Sequence, residues 1–348
     1  MRQALSHALM RAWTGTGPLA MALLPVAAVY GALTALRRQL YRWNWLHSQG
    51  VPAYVIVVGN VVAGGAGKTP TVMALVQHLQ AQGWRVGVVS RGFGRKAQDG
   101  QEVQATSTAE QVGDEPLLIQ RATGAPVVVG RKRWQAAMAL LAAHPDTEVI
   151  VCDDGLQHYG LARDLEVCVF DDRACGNGWL LPAGPLREPW PRHAVASAGQ
   201  RPDRLLVLHT SGEAAVGEFN AARALSGLAK DRHGNETPLR ELIAPGKPPV
   251  HAVAAIARPE VFFAMLRNAG LPLAHTQALP DHDDFAQFQP PSPQAAQLLC
   301  TEKDAAKLWR VAPHALSVAL KQTMEPAFFA ALDPHLAAHR ARLSARRL

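Results

Sequence analysis

Residues 55–70 read Val55-Ile56-Val57-Val58-Gly59-Asn60-Val61-Val62-Ala63-Gly64-Gly65-Ala66-Gly67-Lys68-Thr69-Pro70. An apolar, β-branched run gives way to a glycine-rich turn. The turn ends in Lys-Thr-Pro, and the first turn of a helix tolerates a proline. Each residue type serves anion binding. Glycine lets consecutive backbone N–H groups close around phosphate oxygens, and the N-terminus of the following helix adds positive potential. Lys68 can reach the outer phosphates of a nucleotide such as ATP, and the Thr69 hydroxyl can ligate Mg²⁺. Gly64, Gly65, Ala66, Gly67, Lys68 and Thr69 are therefore the expected nucleotide contacts. The strict spacing GxxxxGK[ST] asks for glycine at position 62, where this chain has Val62, so the glycines are shifted toward the lysine. Strand, loop and helix nevertheless follow in the order a phosphate-binding loop requires.

Working outward, short apolar runs alternate with amphipathic stretches, which is the pattern of βαβ units around a parallel sheet. Strands are expected over 54–58, 86–90, 126–129, 149–152 and 165–170, with helices over 70–82 and 133–143. The fold class that follows is α/β: a P-loop NTPase-type parallel sheet with helices on both faces. Residues 180–200 are proline-dense and aperiodic and read as a boundary loop. Beyond them, strands over 205–208, 251–255, 298–301 and 315–318 and a helix over 259–268 describe a second, smaller α/β domain. The expected division is an N-terminal membrane-associated helical segment (1–48), a nucleotide-binding domain (49–190) and a domain closing the substrate cleft (191–348).

Composition sets the class. The 348 residues are 48% hydrophobic and 18% charged, which supports packed cores and excludes long disorder. That length also exceeds what one core usually fills. Cys152, Cys168, Cys175 and Cys300 show no CxxC pair and no ligand spacing, which argues for reduced thiols over disulfides or zinc. A net charge of +7 and a pI near 9.5 favour an anionic partner. Arg2, Arg11, Arg37, Arg38 and Arg42 flank an apolar N-terminal stretch, and Arg340, Arg342, Arg346 and Arg347 end the chain. Neither cluster is interleaved with base-stacking aromatics, so a membrane surface fits better than nucleic acid. Residues 14–36 carry no charge, close to the ~20 residues of a spanning helix. Pro18 and Pro25 interrupt them, and Arg37, Arg38, Trp43 and Trp45 form a basic and aromatic edge. An interfacial or shallowly inserted helix is therefore expected rather than a span.

Several acids stand where a metal–nucleotide site needs them. The strand at 148–152 ends in Asp153 and Asp154, the arrangement that presents carboxylates to Mg²⁺, and continues as Gly155-Leu156-Gln157-His158. Two adjacent carboxylates resist joint ionisation unless a cation is near. Gly113-Asp114-Glu115-Pro116 brings two more acids to a helix start, where Asp114 is either a cap or a functional group. Thr69, Asp153, Asp154 and Glu115 make up the candidate Mg²⁺ ligands. Arg91 and Arg95 leave a strand end, and Arg187 lies on the stiff loop Pro182-Ala183-Gly184-Pro185-Leu186-Arg187-Glu188; each is either solvated or aimed at an anion. His282 sits among acids in Asp281-His282-Asp283-Asp284-Phe285, a setting suited to proton handling or to a solvated loop.

The ordered series GNVVAGGAGKTP, SRGFGR, VGDEP, DDGLQH, PAGPLRE, PDHDDF and TEKDAAKL resembles the tetraacyldisaccharide 4′-kinase family of lipid A biosynthesis over nearly the whole chain. The resemblance implies transfer of the ATP γ-phosphoryl group to the 4′-hydroxyl of a tetraacylated glucosamine disaccharide 1-phosphate. It implies a monotopic or peripheral enzyme on the cytoplasmic face of a bacterial inner membrane; a monomer is expected. Carried over by position, Lys68 and Thr69 match the phosphate and Mg²⁺ residues, and Asp153 and Asp154 the metal-facing acids. Asp114 matches the proposed base, His282 its partner from the other domain, and Arg187 an arginine near the phosphates or sugar. Ala66 stands where Ser or Thr is usual, Phe93 where Tyr is usual, and Arg258 where a small or amide residue is common. Two rival classes share parts of this pattern. A membrane-associated ATPase switch of the GG-x-GKT type would carry its signature lysine at position 63, which is Ala63. A soluble sugar kinase would instead pack the N-terminal helix internally.

Overall fold

The computed structural model describes residues 9–95, 100–192, 204–210 and 216–345. Two helices, α1 (Pro18–Ala22) and α2 (Leu24–Arg42), precede the sheet. Then follow β1 (Tyr54–Gly59), α3 (Lys68–Ala81), β2 (Val86–Ser90), β3 (Gln101–Glu102), α4 (Ala109–Val112), α5 (Asp114–Thr123), β4 (Val127–Val129), α6 (Arg133–Ala143), β5 (Val149–Asp153), β6 (Leu165–Phe170) and β7 (Arg204–His209). The remainder comprises β8 (Phe219–Lys230), β9 (Glu236–Pro238), β10 (Val250–Ala254), α7 (Pro259–Asn268), β11 (Leu273–Ala278), β12 (Gln297–Thr301), α8 (Glu302–Leu308), β13 (Leu316–Met324) and α9 (Pro326–Ala345).

The strands form one path in the order β11-β10-β12-β13-β8-β7-β6-β1-β5-β2-β4-β3, with β9 on β8. Pairing is parallel except where β13 and β9 meet β8 and where β3 meets β4. Because β1 lies between β5 and β6, it is covered on both faces and every residue in it is buried. Tyr54, Ile56 and Val58 join a core with Leu75, Leu79, Phe328 and Leu332, while Val55 and Val57 join another with Ala136, Leu140 and Ile150. The sheet thus fixes β1 and β5, whose C-terminal ends carry the glycine loop and the paired acids.

The strand after the proline-rich stretch, β7, pairs parallel with β6 from Leu165↔Arg204 to Phe170↔His209. It therefore extends the first half of the sheet, although a division at 190/191 assigns it to the second. The halves meet on β8, whose Phe219 and Asn220 pair with β7 while Ala221 to Lys230 pair with β13. Helix α9 crosses back: His78 on α3 lies 3.0 Å from Asp333 and stacks on Phe329 at 3.7 Å. Residues 193–200 of the expected linker, and Arg2, Arg346 and Arg347, lie outside the described residues.

At the N-terminus, α2 buries Ala27 and leaves Val26, Val29, Leu33 and Leu36 more than half exposed. No helix among the described residues is long and apolar enough to cross a membrane.

Candidate active site

Between β1 and α3 the chain turns through Gly64 (φ +97°) and Gly67 (φ +83°), backbone that side-chain-bearing residues rarely adopt. Gly67 is the residue just before α3, so the loop opens onto the N-terminus of a 14-residue helix. Lys68 Nζ donates to Asn60 Oδ1 at 3.2 Å and lies 3.5 Å from Asp154 Oδ1. Arg187 Nη1 reaches the same Asp154 oxygen at 3.2 Å. Lys68, Arg187 and Asp154, three residues singled out by sequence, thus meet at one point. Burial would raise the Asp154 carboxyl, but Lys68 and Arg187 outweigh it and hold it below the ordinary range. Asp154 also has φ +47°, a left-handed backbone that aspartate tolerates better than most residues.

Its neighbour differs. Asp153 is buried at the end of β5; Ser90 Oγ donates to its Oδ2 at 3.0 Å, and its Oδ1 has no hydrogen-bond partner among the described residues. Burial first, then the charges of Glu115 and Asp154, push it up to about 7. An orphaned carboxylate oxygen among three acids fits a cation. Among the described residues no three acidic, histidine or cysteine side chains cage a metal by themselves. Mg²⁺ in nucleotide sites takes one or two carboxylates, with phosphate and water supplying the rest. Thr69 lines the adjoining cavity, whereas Glu115 is engaged by Lys303 Nζ at 3.4 Å.

The second half supplies a further group. His282 (φ +64°) brings Nδ1 within 3.0 Å of Asp114 Oδ2, and Lys307 Nζ stands 2.7 Å from the same oxygen. Burial would raise Asp114, but the contacts from His282 and Lys307 prevail and hold it low. The carboxylate is therefore ionised and accepts, and His282 Nδ1–H donates. Asp114 opens α5 with Gly113 as the cap residue, so capping is not its work. Phe93 lies 5.1 Å from the His282 ring, centroid to centroid. His158 is pushed down to about 4, by burial and then by Arg133, and is neutral at neutral pH.

A cavity of about 570 Å³ lies beside these groups, lined by Gly65, Gly67, Thr69 and Glu115 from one half and by Arg223, Arg258 and Lys303 among others from the second. Sequence reading missed Lys303, Lys307 and Arg223. For the first two the signal was there: TEKDAAKL puts them four residues apart on one helical face. Thr301 and Asp304 of that segment are structural, since Asp304 Oδ2 accepts from Thr301 Oγ1 at 2.6 Å and from Ala255 N at 3.0 Å. Arg258 ion-pairs with Asp172 across the cleft.

A mostly parallel sheet whose strand ends carry a glycine loop, a lysine and paired acids defines a class of α/β proteins that hold phosphate-bearing ligands. Comparison with known proteins gives the particular member. The profile of the tetraacyldisaccharide-1-P 4′-kinase family matches residues 19–337, and the chain belongs to that family. It is 55% identical over 335 residues to a tetraacyldisaccharide 4′-kinase of an Acidovorax species, covering 96% of this chain and 95% of that one. A tetraacyldisaccharide 4′-kinase of Verminephrobacter eiseniae is 51% identical over 346 residues, covering 98% of this chain and 78% of that one. Among solved structures, the chain is similar to LpxK of Aquifex aeolicus, described as an "apo" form in complex with ATP. That likeness has a TM-score of 0.77 and 28% identity, over 92% of this chain and 99% of the other.

Proposed function

We propose that the chain transfers the γ-phosphoryl group of ATP to the 4′-hydroxyl of a tetraacylated glucosamine disaccharide 1-phosphate. The observation that carries this reading is the meeting of two units in one cleft. Lys68, Asp154 and Arg187 gather at the glycine loop, and the Asp114–His282 pair is completed from the opposite half. Sugar hydroxyls are poor nucleophiles at neutral pH, so a positioned base is needed. Asp114 takes the 4′-proton as the sugar oxygen bonds to the γ-phosphorus. The bond from that phosphorus to the β-phosphate oxygen breaks, and ADP leaves. Held low by His282 and Lys307, Asp114 is ionised and free to accept the proton, which it then releases to solvent, and His282 keeps the carboxylate oriented. Lys68 and Arg187 neutralise charge on the transferring phosphoryl oxygens. Thr69, Asp153 and Asp154 are the residues suited to Mg²⁺, which supplies charge neutralisation at the phosphates when bound. Glu115, bonded to Lys303, is suited to the outer sphere.

Helix α2 serves both membrane and site. Its inner face supports the catalytic loop, since Tyr30 Oη donates to the Arg187 carbonyl at 2.9 Å. Its outer face presents Val26, Val29, Leu33 and Leu36, with Trp43 and Trp45 exposed beyond its end. We read that face as lying in the interface of the cytoplasmic leaflet, where it meets the acyl chains of the substrate. Deleting the helix would also remove the support for Arg187, so the cleaner variant is Val29→Ser with Leu33→Ser. It should release the protein from vesicles while leaving detergent-dispersed turnover near normal.

The decisive test offers γ-labelled ATP with the lipid acceptor and with soluble glucosamine sugars, resolved by thin-layer chromatography. Label on the lipid is expected. Label only in free phosphate would favour an ATPase switch, and label on a soluble sugar would favour a soluble kinase.

A further inference from the structure

Arg223 stands on β8, the strand on which the two halves of the sheet meet. Its side chain runs to the back of the glycine loop, where Nη2 donates to the Ala66 carbonyl at 2.9 Å and to Thr210 Oγ1. Approach is so close that a Cβ on Gly67 would fall 1.6 Å from Nη2. Nε donates to Gln322 Oε1 at 3.2 Å, and Gln322 Nε2 donates to Thr71 Oγ1 on α3 at 2.6 Å. Every partner of the guanidinium is thus neutral, and among the described residues no carboxylate stands within ion-pair distance of it. Burial lowers its pKa, with Asp171 the strongest opposing charge and Arg258 adding repulsion. A largely buried cation held only by neutral groups is costly unless an anion joins it. Nη1 makes no hydrogen bond to a described residue, and Arg223 lines the same cavity as Gly65, Gly67 and Thr69.

We infer that Arg223 binds the polyphosphate of the nucleotide donor, delivering a cation from the joining strand to the loop that holds the phosphates. This rests on the reading of the chain as an ATP-dependent kinase. Lys68 and Arg187 both contact Asp154, so their charge is partly spent within the protein, whereas that of Arg223 is not. Through Gln322 and Thr71 the residue is also tied to the first turn of α3. Phosphate binding at Arg223 therefore loads the strand that connects the halves.

The test is calorimetric titration of the full chain with ATP, ADP and AMP, comparing the parent with Arg223→Gln and Arg223→Lys. Arg223→Gln should weaken ATP binding at least tenfold and ADP binding less, and leave AMP within about twofold. Arg223→Lys should recover much of the loss, because it restores the charge though not the fork geometry. The melting temperature without nucleotide should not fall in Arg223→Gln, since the variant removes an uncompensated charge. Equal weakening of all three nucleotides would mark Arg223 as a brace for the loop and overturn the inference, as would unchanged ATP affinity. If Arg223→Gln fails to fold, Arg223→Met takes its place under the same outcomes: ATP weakened well beyond AMP supports the charge contact, and an equal loss or no loss refutes it. A parent that binds no ATP would instead refute the kinase reading.

Discussion

Two acidic regions of one cleft behave oppositely. Asp114, at the start of α5, is buried, yet it is held below the ordinary carboxylate range by His282 and Lys307. Asp153, at the end of β5, is buried with only the Ser90 hydroxyl as a donor and is pushed up to about 7. The difference is one of supply. Cations for Asp114 come from the second half of the chain, so its charge is stabilised as soon as the protein folds. Asp153 faces the charges of Glu115 and Asp154, which Lys68 compensates only in part, an environment suited to the cation-holding role proposed above. In the proposed roles, a base should be ionised before substrate arrives, whereas a metal ligand need not be.

Removing the pre-stabilised acid should have the largest effect. Asp114→Asn is expected to lower turnover by ~10²–10⁴-fold, the usual worth of a positioned base, with ATP affinity nearly unchanged. His282→Ala should cost less, and the double variant should lose less than the sum, because the pair acts as one unit. Steady-state kinetics on all three variants checks this, and fully additive losses would break the pairing. The other region should respond in stability. A carboxyl raised from 3.8 to about 7 contributes stability that is present below its unfolded pKa and lost as pH rises through 7. Without metal or nucleotide, Asp153→Asn should therefore be more stable than the parent at pH 8, on the order of a few kcal/mol. The gap should close toward pH 4, and melting curves across that range would show it. A variant less stable than the parent at pH 8 would mean that Asp153 already has a cationic partner in the empty protein.

Lys307 tests the contrast from the side of the cation. Its ammonium also donates to the carbonyls of His282 at 3.2 Å and Asp283 at 3.1 Å, so it holds the turn that presents the histidine. Asp114, with its pKa held below 3.8, contributes stability above that value, and the contribution is lost as pH falls through the lowered pKa. Lys307→Met should move that acid loss, and the acidic limb of the rate profile, to higher pH. It should cost ~1–3 kcal/mol of stability through the unsatisfied buried oxygens. An unshifted acidic limb would leave the Asp114 charge to His282 and Lys303.

What the sequence made legible follows local physics. The glycine loop, β1, β2, β5, β6 and α6 were readable because buried parallel strands are β-branched runs and the turn chemistry sits at fixed offsets. β8 was not: Phe219-Asn220-Ala221-Ala222-Arg223-Ala224-Leu225 is alanine-rich, and its strand state comes from pairing with β13. β11, Leu-Ala-His-Thr-Gln-Ala at the sheet edge, is mostly exposed and shows no alternation. Pro334 inside α9 hid a helix that tertiary contacts of Phe328 and Leu332 sustain. At the site, Lys68, Asp114, Asp153, Asp154, Arg187 and His282 were each named from motif position. Lys303, Lys307 and Arg223 were missed because their partners lie far away in sequence. Only the fold reveals which buried acid has cations at contact distance and which, among the described residues, is not ion-paired.

A third acid, Asp172, provides the control for this comparison. It pairs with Arg258 across the cleft, with Arg258 Nη2 donating to Asp172 Oδ2 at 3.0 Å, and its side chain is 50% exposed. Water competes for both partners, so double-mutant data on such pairs predict ~0.2–1 kcal/mol. Arg258→Ala leaves no buried orphan: Asp171, which Arg258 approaches at 3.8 Å, keeps Arg173 at 2.7 Å, and Asp172 is solvated. The variant should therefore lose less than ~1 kcal/mol in urea unfolding, and most of that loss should vanish in 1 M salt, where the screening length is about 3 Å. A larger loss that salt does not erase would mean that the pair is desolvated in solution. Arg258 would then belong with Lys307, as a cation from the second half that stabilises an acid of the first.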